Sequence, residues 1–467
     1  MSTTSRPRAL KHPLEFALGL FAEVREGEAP TAILLTVNVF LILTAYYLLK
    51  VAREPLILLG GGAEVKSYAS VGQSILLVFV ASGYGWLATR VGRMALITWV
   101  TLFFAANLVV FWALGERGAS LGVPFFLWVG IFNLTTVAQF WSFAADVYSE
   151  EQGKRLFPVI GIGSSVGAVA GATIADTLLF LGPFRLMLVA AGILVLCLGL
   201  TYAVNLRESG GAKARRGEVE KEAPIGGENG FALVLGDRYL LLFAAMIFVL
   251  NWVTKTGDYV LDRQLLAAAH AHGVGAHAYV AQFKARYFEW VNALGVAFQL
   301  FAVSRVIKYL GLRVALVIMP IASFAGYGAA FVAPFLGVVS VARVVESSLD
   351  YSLSNTTRQA LWLSTTREAK YKAKQVIDTF VVRAGDVLSA ALVWVGSTVS
   401  LSARGFLQAN IVLSIAWVGF ALLLGRAYAR REAPTVAPSA APSAATAGAA
   451  ATVDSPGPAP SAHTPSA

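Results

Sequence analysis

The sequence predicts an all-α, polytopic membrane protein of about twelve transmembrane helices, arranged as two related sets of six. Three observations lead there. Of 467 residues, 57% are hydrophobic and only 14% are charged, with a mean hydropathy of +0.66. Apolar stretches of about 20 residues, the length that crosses roughly 30 Å of hydrocarbon, recur along the chain. The same charged spacing interrupts two of them, Lys50 with Arg53 and Lys255 with Asp258. Charge inside a hydrophobic span is costly and usually functional.

In chain order, residues 1–30 read as a cytoplasmic N-terminal segment. It is polar up to Lys11, mildly amphipathic through Phe16, Leu18, Leu20 and Phe21, and charged again from Glu23 to Glu28. It lacks the compact apolar core and small-residue cleavage site of a signal peptide, so the first span is expected to act as an uncleaved insertion signal. A first bundle, 31–206, carries spans near 31–50, 68–89, 95–115, 122–145, 157–180 and 184–206. A linker at 207–237 contains the polar stretch Arg207 to Asn229 and the basic run Lys213 to Arg216. A second bundle, 238–431, carries spans near 238–256, 286–304, 314–333, 335–357, 376–398 and 406–425, of which the tenth is the least clear. The Ala, Pro, Ser and Thr tail at 432–467 has too little bulky apolar content to fold and is expected to be disordered.

Basic residues set the orientation. With both termini in the cytoplasm, about 24 Lys and Arg fall on the cytoplasmic side against about 8 on the other, as the positive-inside rule requires. The expected location is the inner membrane of a bacterium. The net charge of +10 is then topology and contact with anionic lipid, and no nucleic-acid partner is expected. The single cysteine, Cys197, lies inside the sixth span, which excludes an intrachain disulfide or a cysteine metal site.

Short stretches superpose between the halves. A shift of 205 residues places Lys50 on Lys255 and Arg53 on Asp258, and a shift of 218 places Glu150 on Glu368, Lys154 on Lys372 and Gly167 on Gly385. Similar loops follow the second and eighth spans, one running from Gly83 through Gly85, Arg90 and Gly92 to Arg93, the other from Ser304 through Arg305, Lys308 and Gly311 to Arg313. The first resembles the glycine- and arginine-rich cytoplasmic loop of the major facilitator superfamily, which implies two six-helix halves rocking about a site near the midplane.

Phe140-Trp141-Ser142-Phe143-Ala144-Ala145-Asp146, then Lys154-Arg155 and the run Gly161, Gly163 and Gly167, resembles a second and narrower group. This is the ATP/ADP translocase, or nucleotide transporter, family of plastids and obligate intracellular bacteria, where Phe-Trp-x-Phe-Ala-Asn-Glu precedes Lys-Arg and a glycine run. Asn355-Thr356-Thr357-Arg358-Gln359, followed by Lys370, Lys372, Lys374, Ile377 and Asp378, is similar to that family's Asp-x-Thr-Lys-Glu and Lys-x-Lys-Gly-Lys-x-x-Ile-Asp. Lys50-Val51-Ala52-Arg53-Glu54 and Gly60 to Glu64 are similar to its Arg-x-x-Lys-Asp and Gly-x-Gly-Ala-Glu. The resemblance covers roughly residues 31–430. Asp146 replaces a glutamate, Arg53 and Arg358 replace lysines, and Asn355 and Gln359 replace acidic residues, so two negative charges are missing from the family pattern.

The residues themselves suit an anionic solute. Lys50, Arg53, Lys255, Arg343, Arg358 and Arg383 are basic positions in or at the ends of spans. Arginine grips phosphate oxygens bidentately, and lysine is a compact point charge that tolerates a changing phosphate count. Arg343 with Glu346 and Arg383 with Asp386 stand at i+3 and can instead pair on one helix face. The candidate solute ligands are Lys50, Arg53, Lys255, Asp258, Arg358 and Asn355. The candidate gating or counter-ion residues are Asp146, Lys154, Arg155 and Lys372, with Asp146 placed to bridge to Lys154, Arg155 or the opposite half. Asp258, Glu289, Glu346 and Asp350 are in or beside spans and could carry protons instead.

Three further signals point to ordinary structure. Gly161, Gly163, Gly167 and Gly171 lack phosphate-loop spacing and a preceding strand, and suit close helix packing. His270, His272 and His277 lie in a loop with no further ligand set, so no metal is expected. Tyr46, Tyr47, Trp141, Trp252 and Tyr259 are as suited to packing or interfacial anchoring as to stacking on a base. No nucleophile, base and orienter constellation marks an enzyme, and no cofactor is expected. The sequence thus predicts a carrier, with a monomer as the expected unit. Three readings stay open: exchange of ATP, ADP or related phosphorylated anions, proton-coupled transport or export of another organic anion, and a non-transporting interaction or sensory role.

Overall fold

In lipid an apolar chain must satisfy each backbone N–H and C=O within its own segment, which the α-helix does. The computed structural model describes residues 25, 27–88, 90–148, 150–208, 230–366 and 369–432, and no strand occurs among them. The first half comprises α1 (Ala29–Ala88), α2 (Arg93–Glu116), α3 (Gly122–Val147), α4 (Glu150–Thr177) and α5 (Gly182–Glu208). A short α6 (Gly230–Gly236) leads into the second half. That half comprises α7 (Arg238–His270), α8 (Ala276–Ala297), α9 (Gly311–Val332), α10 (Leu336–Leu349), α11 (Asn355–Leu363), α12 (Val382–Thr398) and α13 (Ala403–Glu432).

A straight helix of the 60 residues of α1 would be about 90 Å long, three times the hydrocarbon thickness. It is not straight. Gly62 has φ 86° and ψ 173°, a conformation essentially confined to glycine, and the chain reverses there. The reversal is visible in a bond: Lys66 Nζ reaches Glu54 Oε2 at 2.5 Å, although twelve residues of straight helix would separate them by about 18 Å. The two arms of α1 are therefore the first two crossings.

Among the described residues, eight helices are long and apolar enough to cross a membrane, counting α1 once. The second arm of α1, α8, the α10–α11 rod and α12 bring the crossings to the predicted twelve. Charged residues lie along these last three rods, and wide π-helical turns interrupt them, at Phe298–Val303, Val306–Leu310, Asp350–Ser354, Ala369–Ala373 and Ile377–Val381. Several crossings are longer than hydropathy suggested, because the amphipathic ends that face the protein interior carry charge. The expected linker starts inside α5 and ends just past α6; its residues 209–229, the tail from 433 and residues 1–24 lie outside the described residues.

Small residues set the closest helix contacts. A Cβ on Gly163, Gly167 or Gly171 of α4 would come within 2.7 Å of the carbonyl oxygens of Thr36, Phe40 and Thr44 on α1. The glycine run is thus a packing stripe. Its repeat-equivalent, Gly385 of the rod that includes α12, lies against the backbone of Phe248 and Trp252 on α7. The same contact is built twice, once in each half.

The halves meet along α4 with α8 and along α1 with α7, α8 and α12. At the end remote from the termini, Ile57, Leu58, Ala69 and Phe126 of the first half pack against Leu265, Ala269 and Val280 of the second, forming an apolar plug.

Candidate functional site

On the terminal side of that plug lies a cavity of about 410 Å³ walled by both halves, from Lys66 and Lys284 near the plug to Leu77, Leu134 and Met319 at mid-depth. Its size is in the range of small-molecule sites. The halves are tied across it by Tyr47 donating to Asn292 at 2.9 Å, Tyr259 donating to Glu64 at 2.7 Å, and Ser74 donating to Asp386 at 3.2 Å.

Most charges lining this cavity are already neutralised. Arg343, 1% exposed, reaches Asp258 and Glu346 at 2.5 Å each, and Tyr327 donates to the same Glu346 oxygen. Arg383 bonds Asp386 at 3.0 Å, and Asp350 accepts from Arg358 at 3.0 Å. Glu54 and Asp262 are held by Lys66 and Lys284. Two cations remain. Among the described residues neither Lys50 nor Lys255 has an ion-pair partner, and both line the cavity, one from each half. Lys50 is 8% exposed and its ammonium rests on aromatic faces, 4.0 Å from the Phe288 ring centre and 4.8 Å from that of Tyr47. Aromatic faces hold a cation but leave its charge uncancelled. Arg53 bonds Glu54 through Nε at 3.3 Å and stacks over Phe126, leaving its two Nη groups without a partner among the described residues.

The structure therefore brings together four of the six candidate solute ligands, Lys50, Arg53, Lys255 and Asp258. Asp258 is committed to Arg343, and its carboxylate would repel an anion. Arg358 and Asn355 are not in the lining: Arg358 borders a smaller apolar pocket with Met246 and Trp417, and Asn355 is exposed. Both follow the π turn Asp350–Ser354, which shifts the facing of later residues away from α-helical spacing. Arg358 still acts on the cavity through Asp350.

The candidate gating residues are also rearranged. Asp146 is exposed and pairs with Arg93 at 3.4 Å, within its own half; among the described side chains it does not pair with Arg155 or with the opposite half. Arg155 instead grips Glu28 at 2.9 and 3.1 Å, with Gln152 adding a bond at 3.0 Å. Partial burial raises the Glu28 carboxyl pKa, but the hydrogen bonds from Arg155, the Arg25 N–H and Gln152 outweigh it and leave the group below its usual value. Lys154 is within α4, with its side chain outside what is described, and Lys372 is half-buried in the π turn ahead of α12, where its carbonyl touches α6 at Gly230. Of the aromatic candidates, Tyr46 and Tyr259 line the cavity; Trp141 packs on Phe140 and Phe157, and Trp252 on Phe248. Glu289 accepts from Thr173 at 3.0 Å, away from the cavity lining. Among the described residues no group of His, Cys, Asp and Glu could hold a metal ion, and His272 stacks on Tyr279.

Lys66, Asp262 and Lys284 escaped the sequence reading. Hydropathy starts the second and eighth spans just after Lys66 and Lys284, which assigns both lysines to loops, and ends the seventh before Asp262, which puts that residue in the loop beyond it. The available signal was Glu54 and Lys66 flanking the Gly60–Gly62 turn at similar distances.

No family model and no curated protein matches the chain. Solved structures do match its fold. The nucleoside transporter NupG is similar over 86% of this chain and 98% of its own, with a TM-score of 0.57 at 13% identity. A bacterial homologue of the iron transporter ferroportin, in its inward-facing state, is similar over 85% and 98%, with a TM-score of 0.59 at 13% identity. A bacterial homologue of the human lysosomal transporter Spinster, inward-facing and unoccupied, is similar over 88% and 99%, with a TM-score of 0.57 at 14% identity. The chain is a multi-pass membrane protein with the fold of major-facilitator-type transporters.

Proposed function

We propose that the protein is a carrier for a phosphorylated anion, working by alternating access, with exchange of ATP and ADP or related nucleotides as the leading reading. The observation that carries it is the pair of ammonium groups, Lys50 and Lys255, that have no ion-pair partner among the described residues, in a cavity where the other lining cations have carboxylate partners. Two uncancelled positive charges and the free Nη groups of Arg53 match a group carrying two or more negative charges, and their placement on both halves lets one solute bridge the moving parts. Tyr46, Tyr287, Phe288 and Tyr351 add aromatic lining against which a base can lie. The fold, shared with transporters at 12–14% identity, supports a carrier without naming its cargo. We place it in a bacterial inner membrane; the basic-residue asymmetry supports both termini on the cytoplasmic side, and one chain supplies both walls of the cavity.

The test is uptake of labelled ATP into proteoliposomes, empty or preloaded with ADP. Uptake that requires preloading supports exchange; no uptake above protein-free vesicles with folded protein removes nucleotide exchange. One observation favours the second reading, a proton-coupled carrier of another organic anion. Asp386 is a carboxyl on the cavity wall that is only 4% exposed, and its Oδ1 has no hydrogen-bond partner among the described residues. Uptake driven by an imposed pH gradient, without counter-solute, would select this reading.

A further inference from the structure

Directly beneath the apolar plug, four charged side chains, three of them buried and Lys66 partly so, are wired across the two halves. Lys66 of α1 bonds Glu54 of its own half at 2.5 Å and Asp262 of the other at 2.8 Å. Lys284 of α8 bonds Asp262 of its own half at 2.5 Å and lies 3.5 Å from Glu54 of the other. Each lysine thus holds one carboxylate from each half. Glu54, Asp262 and Lys284 are at most 4% exposed, yet all four residues line the cavity. The network is a wall of the solute site and a tie between the halves at once.

Separating the halves at this end breaks both crossing contacts. Breaking a buried ion pair without replacing a partner is strongly unfavourable, so the empty carrier should keep this end closed. A phosphate group in the cavity changes that balance. A lysine ammonium has three N–H donors, and a phosphate oxygen accepts as strongly as a carboxylate. We infer that Glu54, Lys66, Asp262 and Lys284 form a latch that an entering polyanion opens by replacing the carboxylates on Lys66 and Lys284, which become solute ligands in the open state. The proposal rests on the anionic-solute reading above and deepens it. Opening tied to the presence of solute is what makes a carrier exchange one anion for another.

The experiment reads the plug directly. In a Cys197→Ser background, which leaves the chain without a native cysteine, Ala69→Cys places a reporter thiol in the plug. The rate of modification by a membrane-impermeant cationic thiosulfonate, added on the plug side of reconstituted protein, measures opening. With the latch intact, modification is slow and rises about tenfold or more with ADP or inorganic pyrophosphate on the cavity side. Glu54→Gln with Asp262→Asn should be modified about tenfold faster or more without any anion. Should that pair not fold, each single neutralisation gives the same reading. Modification of the neutralised variants at the latched rate without anion overturns the proposal. If ADP and pyrophosphate have no effect on the latched protein while the neutralised variants are fast, the latch stands as a tie but its release by phosphate, and with it the named solute class, is refuted.

Discussion

Lys50→Met separates a solute ligand from a structural charge, because the two assignments predict opposite signs. Among the described residues Lys50 has no carboxylate partner, so its removal strands no anion there. What is lost is the contact with Phe288 at 4.0 Å, worth about 0.5–2 kcal/mol. What is gained is relief from holding an ammonium out of water, a penalty of roughly several kcal/mol. Methionine fills a similar space, so the variant is expected to be as stable as the parent or more so. Binding should move the other way. A charge-assisted hydrogen bond contributes about 1.5–3 kcal/mol, which is roughly a 10- to 150-fold loss of affinity. Lys284→Met is the contrast: it leaves Asp262 and Glu54 short of a donor and should cost about 3–5 kcal/mol of stability. Melting in detergent with and without ADP, and calorimetric titration of ADP, read both quantities. A Lys50→Met protein that melts well below the parent and binds ADP with unchanged affinity would refute the reasoning.

Four further outcomes follow from the geometry. Gly167→Val puts a Cβ at 2.3 Å from the Phe40 carbonyl oxygen and should cost about 1–3 kcal/mol, read as a lower melting temperature; parental stability would sink the packing stripe. Gly62→Ala forces a side chain into a conformation costing about 1–3 kcal/mol, and should lower the yield of folded protein on size-exclusion chromatography. Arg343→Met leaves Asp258 and Glu346 buried without their cation and should destabilise by about 3–5 kcal/mol, with partial recovery when Glu346→Gln is added; no recovery would argue against the triad. Because the Glu28 carboxyl is held below its ordinary value of 4.5, its contribution to stability is complete above that pH and is lost as pH falls through the folded-state value. Glu28→Gln should therefore flatten the acid limb of a melting-temperature profile while lowering stability at neutral pH, and an unchanged acid limb would remove Glu28 from it.

The sequence by itself determined the class of molecule. Helical crossings in two related sets are legible because lipid leaves an apolar chain few backbone solutions, and because Lys50 and Lys255, like Gly167 and Gly385, recur in register. Local pairs were legible too: Arg343 with Glu346 and Arg383 with Asp386 are neighbours by helix geometry alone. The tertiary structure decided which charges are spent. Lys66 meets Asp262, separated by 196 residues, and Arg343 meets Asp258, separated by 85, only because particular helix faces are brought together. Asp146 meets Arg93 for the same reason, and Arg358 turns out of the cavity because a π turn precedes it. Periodicity and hydropathy see one helix at a time, whereas ion pairing is a property of the space between helices. That is why the sequence could name Lys50 and Lys255 as candidates, but only the packed bundle shows that their charge is left uncancelled in the cavity.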